Sequence, residues 1–253
     1  MHILDWVVSA DFVQSLNEML AVTSARVSQN SCRLPHDREY CAEVVLTKPC
    51  EPLLPRELSS RLRKWWIAVD RNDPNEPNWD LAVEAAFPGN RCGIVLAEAK
   101  AHVRELKREE KGKNPESNRK NHDHIGTAID EARAGLGGDV AGVHISRDSH
   151  YQFSNRIAFA WKLALSGVPC ALVYLGFIGD TGIGEQNLRD EQHWESTLLQ
   201  HIAPVFPVYW TNREFQANGC PFWFLVRSLK CIRHSPPPGQ RTTLDCKKPR
   251  ERH

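Results

Sequence analysis

The run Cys170–Ile178, CALVYLGFI, is apolar at nearly every one of its nine positions. A strand with one wet face alternates, so a run without alternation is expected of a central strand covered on both faces. Helical patterns stand before and after it, and together they predict an α/β protein in which helices flank a mixed central sheet. The chain has 253 residues, 41% apolar and 25% charged. That length can bury a sizeable core, and the balance excludes wholesale disorder, collagen-like repeats and a coiled-coil rod. No stretch of about 18 apolar residues occurs, so no bilayer-spanning helix is expected. The first twenty residues hold Asp5, Asp11 and Glu18 but neither Lys nor Arg, and lack the basic start of a secretory signal. A cytoplasmic location is the expectation.

Helical periodicity sets in at Pro55, with Leu58, Leu62, Trp65, Trp66 and Val69 recurring at spacings of three and four. RNDPNEPN, from Arg71, reads as a turn. Residues 79–87 and 91–101 then flank Pro88-Gly89-Asn90, the pattern of an antiparallel hairpin. Lys100–Lys120 is expected to begin as a helix and break into a loop near Gly112 and Pro115. Further helices are expected at Arg119–Ala134, Tyr151–Ser166 and Glu191–Ile202, with strands at Val140–Ser146, Cys170–Ile178 and, at an edge, Pro221–Leu229. Residues 23–55 show no clear period beyond one strand at Cys41–Leu46. The chain thus divides into an N-terminal extension of unclear role (1–54), an α/β core (55–230) and a Pro-rich basic tail (235–253) expected to be disordered.

The hairpin brings chemistry together. If residues 88–90 form a three-residue loop, Phe87 pairs with Arg91, opposed positions sum to 178, and Asp80 lies across from Glu98. Lys100 shares their face, because side chains repeat every two residues. A two-residue loop would instead set Asp80 against Ala97, on the wrong face. Two opposed carboxylates repel and need a cation when buried. Lys100 supplies part of that charge, and the oxygen ligands also suit a hard divalent ion such as Mg²⁺.

Asp80, seventeen intervening residues, then Glu98-Ala99-Lys100 at the end of an apolar strand resembles the signature of the PD-(D/E)xK nuclease superfamily. The order of elements over 55–178 is similar to the αβββαβ core of that restriction-endonuclease-like fold. The resemblance implies a Mg²⁺- or Mn²⁺-dependent nuclease with Asp80 and Glu98 as metal ligands, the Ala99 carbonyl as a further ligand and Lys100 as the catalytic lysine. Tyr151 and Gln152 open the later helix, where some members of the superfamily carry a Gln-and-Tyr element near the substrate. Pro77 stands three residues before Asp80, where the family often has proline directly before it.

The pattern [DE]-x-K occurs four times, also at Glu105-Leu106-Lys107, Glu109-Glu110-Lys111 and Asp245-Cys246-Lys247. Only the first copy ends an apolar strand with a mirrored Asp; Glu105 and Glu109 fall in a charged helix and are expected to be dispensable. The alternative for Asp80, Glu98 and Lys100 is a solvated face with an ordinary cross-strand salt bridge. Glu84 shares the Asp80 face and pairs with a basic group or serves as an auxiliary ligand, and Glu57 is a weaker candidate of the same kind. Gln152, Asn155 and Arg156 share one helix face suited to phosphate or base contacts, or simply to solvent. Asp148 or Ser149 is expected to cap that helix. His122 and His124 lie two apart on a helix and do not face each other, which rules out joint ligation.

Lys plus Arg number 32 against 31 for Asp plus Glu, so contact with a polyanion must come from local patches. Lys100–Lys120 holds eight basic against four acidic residues, and the segment after Val226 holds eight against two. The eight cysteines show no zinc-knuckle spacing and read as free thiols. No Walker loop, G-x-G-x-x-G or G-x-S-x-G is present. The expected partner is nucleic acid, DNA ahead of RNA, with a homodimer as the expected assembly and no membrane contact. A non-catalytic nucleic-acid or protein-binding module on the same fold is the competing class, and hydrolysis of another phosphate ester is a third.

Overall fold

Every residue of Cys170–Ile178 is buried, and the strand it forms lies inside a six-stranded sheet. A computed structural model describes residues 2–39, 41–48, 53–68, 76–112, 119–180 and 186–231. In chain order these form α1 (His2–Val7), α2 (Phe12–Met19), β1 (Arg33–Leu34), α3 (Arg56–Trp66), β2 (Leu81–Phe87), β3 (Arg91–Lys100), α4 (Val103–Glu109), α5 (Arg119–Gly135), α6 (Tyr151–Leu165), β4 (Cys170–Ile178), α7 (Glu191–Ile202), β5 (Arg213–Ala217) and β6 (Cys220–Lys230). The sheet order is β1-β2-β3-β4-β6-β5. The pairs β3–β4 and β4–β6 are parallel and the others antiparallel, so the sheet is mixed.

The alternation along β4 explains its all-apolar sequence. Cys170, Leu172, Tyr174 and Ile178 pack into a core shared with Leu62 and Trp66 of α3, Ile125 and Ile129 of α5, Phe153 and Ile157 of α6, and Trp194 and Leu198 of α7. Ala171, Val173, Leu175 and Phe177 turn the other way, onto Trp6 and Val7 of α1 and Phe12 and Leu16 of α2. Helices α1 and α2 thereby cover the central strands on one face of the sheet. Among the described residues no helix is long and apolar enough to cross a membrane.

The hairpin register follows the three-residue loop: Phe87 pairs with Arg91 and Leu81 with Ala97. Gly89 (φ 77°) and Asn90 (φ 58°) take the left-handed conformations that such a turn requires. Helices α6 and α7 occupy the expected spans to within a residue.

Three strand expectations need correction. Val140–Ser146 is not a strand: glycines 137, 138 and 142 at positive φ wind the chain through a 3₁₀ turn at Gly138–Ala141, and Val143 and Ile145 are buried from an irregular segment. Cys41–Leu46 is reduced to one bridge between Val44 and Trp79. The strand expected at an edge from Pro221 is interior, because β5 flanks it. Its proline is tolerated since pairing with β4 begins only at Phe222. The strand β5 was hidden by its polar sequence, REFQA, although Asn218-Gly219 after it is a strong two-residue hairpin signal. The turn at 71–75, the loop at 113–118, the tail from Ser235 and the Asp245-Cys246-Lys247 copy lie outside the described residues. Cys41, Cys92, Cys170, Cys220 and Cys231 are free thiols.

Candidate functional site

The C-terminal end of β3 meets the start of β2 and the first turn of α6 at a pocket of about 540 Å³. Asp80, Glu98, Ala99, Lys100, Tyr151, Gln152, Asn155 and Arg156 all line it. Three separate segments are therefore brought together, and sheet geometry does most of the work. Continuing the register beyond Leu81 and Ala97 sets Asp80 level with Glu98. The side chains at 98 and 100 point to the α6 side, as Ile94 and Leu96 do two and four positions earlier.

Asp80 occupies a bend just ahead of β2, where its Oδ2 accepts a 2.8 Å hydrogen bond from the backbone N–H of Ala99. Burial, reinforced by the nearby Glu98 carboxylate, pushes its pKa up to about 6 from an ordinary 3.8. Glu98 is 5% exposed. Its Oε1 lies 2.5 Å from Lys100 Nζ, and its Oε2 accepts a 2.7 Å hydrogen bond from Arg156 Nε. Burial opposes the charge on Glu98, but Arg156 and Lys100 outweigh it and hold the carboxyl below its usual range. Lys100, 6% exposed, also loses hydration, yet Glu98 and Glu109 together hold its ammonium charged above the ordinary lysine range.

The solvated-face alternative fails on these exposures. Arg156, expected to reach substrate, is buried as a brace instead: its Nη2 donates to the Asn78 carbonyl at 2.6 Å and its Nη1 to Asn155 Oδ1 at 2.6 Å. Its guanidinium stacks 4.7 Å above the Trp79 ring. Asn155 is likewise buried, while Gln152 is exposed at the pocket rim and Tyr151 is half-buried. Burial raises the Tyr151 hydroxyl pKa, so it enters the pocket as a neutral donor.

Glu109, in the third copy of the pattern and expected to be a dispensable residue of a charged helix, is buried instead. Its carboxylate, 1% exposed, lies 2.6 Å from Lys100 Nζ. Val103, Leu106 and Glu109 recur every third residue along α4, a spacing that places Glu109 on the inward face. Glu105 is a capping residue: its carboxylate accepts from the Ala101 N–H at 2.8 Å and closes a capping box with His102. Sequence reading also missed Glu43, Glu76 and Arg108, which line the same pocket.

Other candidates fall elsewhere. Glu84 accepts contacts from the Cys32 N–H and the Cys92 thiol, both at 3.4 Å, and is absent from the pocket wall. Glu57 also lies off that wall. Asp123 pairs with Arg147 at 2.9 Å, and His124 Nε2 meets the Lys64 carbonyl at 3.1 Å. His150, in a left-handed conformation, takes the cap position of α6 in place of Asp148 or Ser149. Among the described residues, the one set of three His, Cys, Asp or Glu donors within 4.8 Å of each other is His2, Asp180 and Cys231; it lies outside the pocket.

The donor chemistry at the pocket fits a hard divalent ion that keeps most of its waters. Asp80 is a carboxylate strained toward protonation by burial and a like charge, a condition that a cation relieves. Each carboxylate oxygen has two lone pairs, so Asp80 and Glu98 retain acceptor capacity beside the bonds described. No protein-family model, curated protein or solved structure matches the chain.

Proposed function

We propose that the protein is a metal-dependent phosphodiester hydrolase acting on nucleic acid, DNA ahead of RNA, on a restriction-endonuclease-like core. The observation that carries this reading is the meeting of Asp80, Glu98 and Lys100 in one pocket at the end of a parallel strand pair. Lys100 is buried and doubly paired, which a lysine used only for solubility has no reason to be.

Asp80, Glu98 and the Ala99 carbonyl would hold Mg²⁺ or Mn²⁺, which when bound would acidify a coordinated water and polarise a phosphoryl oxygen. Arg156 Nε, 2.7 Å from Glu98 Oε2, would fix the orientation of that carboxylate. The Ala99 N–H orients Asp80 in the same way. Lys100 places a permanent positive charge where negative charge develops during in-line attack. Gln152, exposed at the pocket edge, and Tyr151 beside it are positioned to donate to phosphate or base edges. The basic side chains of Lys100–Lys120 add a salt-sensitive attraction for the backbone.

A second reading, a binding module that does not cleave, draws on one observation. Both oxygens of Glu98 already meet internal cations, so the site is partly neutralised by the protein itself. The deciding experiment incubates the full chain with single-stranded and duplex DNA and RNA, with and without Mg²⁺ or Mn²⁺. The parent should cleave only with metal, and Lys100→Ala and Asp80→Asn should each lose at least about a hundredfold. Cleavage surviving both substitutions overturns the site. Salt-sensitive binding without cleavage favours the module, and hydrolysis confined to simple phosphate esters favours the third class.

A further inference from the structure

Helix α4 packs its last residue against α6 and α7, and three of the groups that meet there, Glu109, His150 and His201, are not used by the reading above. Glu109 Oε1 is 2.6 Å from Lys100 Nζ, and Glu109 Oε2 is 3.4 Å from Nε2 of His201 on α7. The His201 ring packs 4.9 Å from that of His150, whose Nδ1 lies 2.7 Å from Ser149 Oγ. Lys100, Glu109, His150 and His201 are all buried, at 8% exposure or less. Among the described residues, Tyr174 of β4, Glu98 of β3, Arg156 of α6, Asp80 and Glu110 are further charged and titratable groups acting on this cluster.

Lys100 meets two carboxylates, Glu98 on its own strand, which is shared with Arg156, and Glu109 on α4. Lys100 and Arg156 already stand beside two carboxylates, Asp80 and Glu98, so Glu109 adds a further buried negative charge, and Lys100 is the cation it meets. A buried carboxylate is costly unless a cation faces it. Among the described residues Glu109 is the second carboxylate paired with Lys100, and it does not line the pocket.

We propose that Glu109 is the positioning residue of the Lys100 ammonium, anchoring it from α4 so that it stays aimed at the reacting phosphate. This inference rests on the reading of Lys100 as the lysine of the hydrolytic site. A lysine side chain has four rotatable bonds and considerable rotamer freedom, so one carboxylate in its own strand does not fix it. A second carboxylate on a separate helix does.

The test has two readouts. In protein labelled with ¹⁵N at lysine, an ammonium held by two buried carboxylates gives a resolved Nζ signal at neutral pH because its protons exchange slowly, whereas surface lysines give none. The parent should show that signal, Lys100→Arg should remove it and thereby assign it, and Glu109→Gln should broaden it away with the fold intact by circular dichroism. In DNA cleavage, Glu109→Gln should lower kcat at least tenfold with KM changed less than twofold, and Glu109→Asp should restore part of kcat. If Glu109→Gln fails to fold, Glu109→Asp, a milder change, should weaken both readouts. A parent with no resolved signal, or Glu109→Gln with unchanged signal and kcat, overturns the proposal. A protected signal in a parent that cleaves nothing supports the anchoring while refuting the hydrolase reading.

Discussion

The backbone N–H of Ala99 donates to the carboxylate of Asp80 across the neck of a hairpin, at 2.8 Å, though the two residues are nineteen apart in sequence. That single bond does not offset the burial of Asp80 or its proximity to Glu98. Folded, Asp80 titrates at about 6; its ordinary value is 3.8. The folded state therefore binds more protons between those values, and stability falls as pH rises from about 4 to about 6, the loss being complete above that window.

Asp80→Asn keeps the acceptor for Ala99 and removes the charge. It should raise the stability of the metal-free protein at pH 7.5 by up to about 3 kcal/mol, the equivalent of the shift, while abolishing cleavage. Urea denaturation of parent and variant from pH 4 to pH 8 checks this: the two curves should converge at the acid end. Equal stability at pH 7.5 would contradict the buried charge.

Divalent cation should act on the same group. Mg²⁺ should stabilise the parent above pH 6 and progressively less below it, because the ion binds the deprotonated carboxylate. Thermal melts with and without Mg²⁺ across that range measure the difference, and Asp80→Asn should lose most of it.

Arg156 holds Glu98, the Asn78 carbonyl and Asn155 together while stacking on Trp79. Arg156→Met should destabilise the fold by about 3–5 kcal/mol, as expected when one partner of a buried ion pair is removed. Arg156→Lys should recover little, since an ammonium cannot reproduce the planar fork. Chemical denaturation provides the comparison.

Phe12, 1% exposed, packs edge-on against Trp6 on the sheet face opposite the pocket. Phe12→Ala should cost about 3–5 kcal/mol. A loss below about 1 kcal/mol would mean that the N-terminal helices add little to the sheet they cover.

Gly93 sits where β3 passes the end of α6's following turn. A Cβ there would lie 2.4 Å from the Pro169 carbonyl oxygen and 2.6 Å from the Phe87 ring. Gly93→Ala should therefore destabilise by about 1–3 kcal/mol, read from the denaturation midpoint.

The sequence made the centre of the molecule legible because its signals are local and redundant. Cys170–Ile178 announces burial on two sides, and Pro88-Gly89-Asn90 fixes the hairpin register from which Asp80 and Glu98 can be aligned. The misses have physical causes. The glycines at 137, 138 and 142 allow Val143 and Ile145 to be buried without a strand, so apolar content there misled. Strand β5 shows mostly polar side chains because it lies at an edge, and the Asn218-Gly219 turn was the better guide. Glu109 looked solvated beside Glu110 and Lys111, and only its spacing from Val103 and Leu106 distinguishes it. The role of Arg156 as a brace depends on Asn78 and Trp79, which no periodicity links to it.

The loop from Pro88 to Asn90 touches none of the pocket, yet its residue count governs the pocket. Adding or deleting one residue there, without a bulge elsewhere, would rotate β2 by one pleat and send Asp80 toward α1 and α2 while Glu98 stayed in place. Drift in this bend is thus quantised in length, and an insertion at the far tip would part Asp80 from Glu98 as surely as a change to the carboxylate itself.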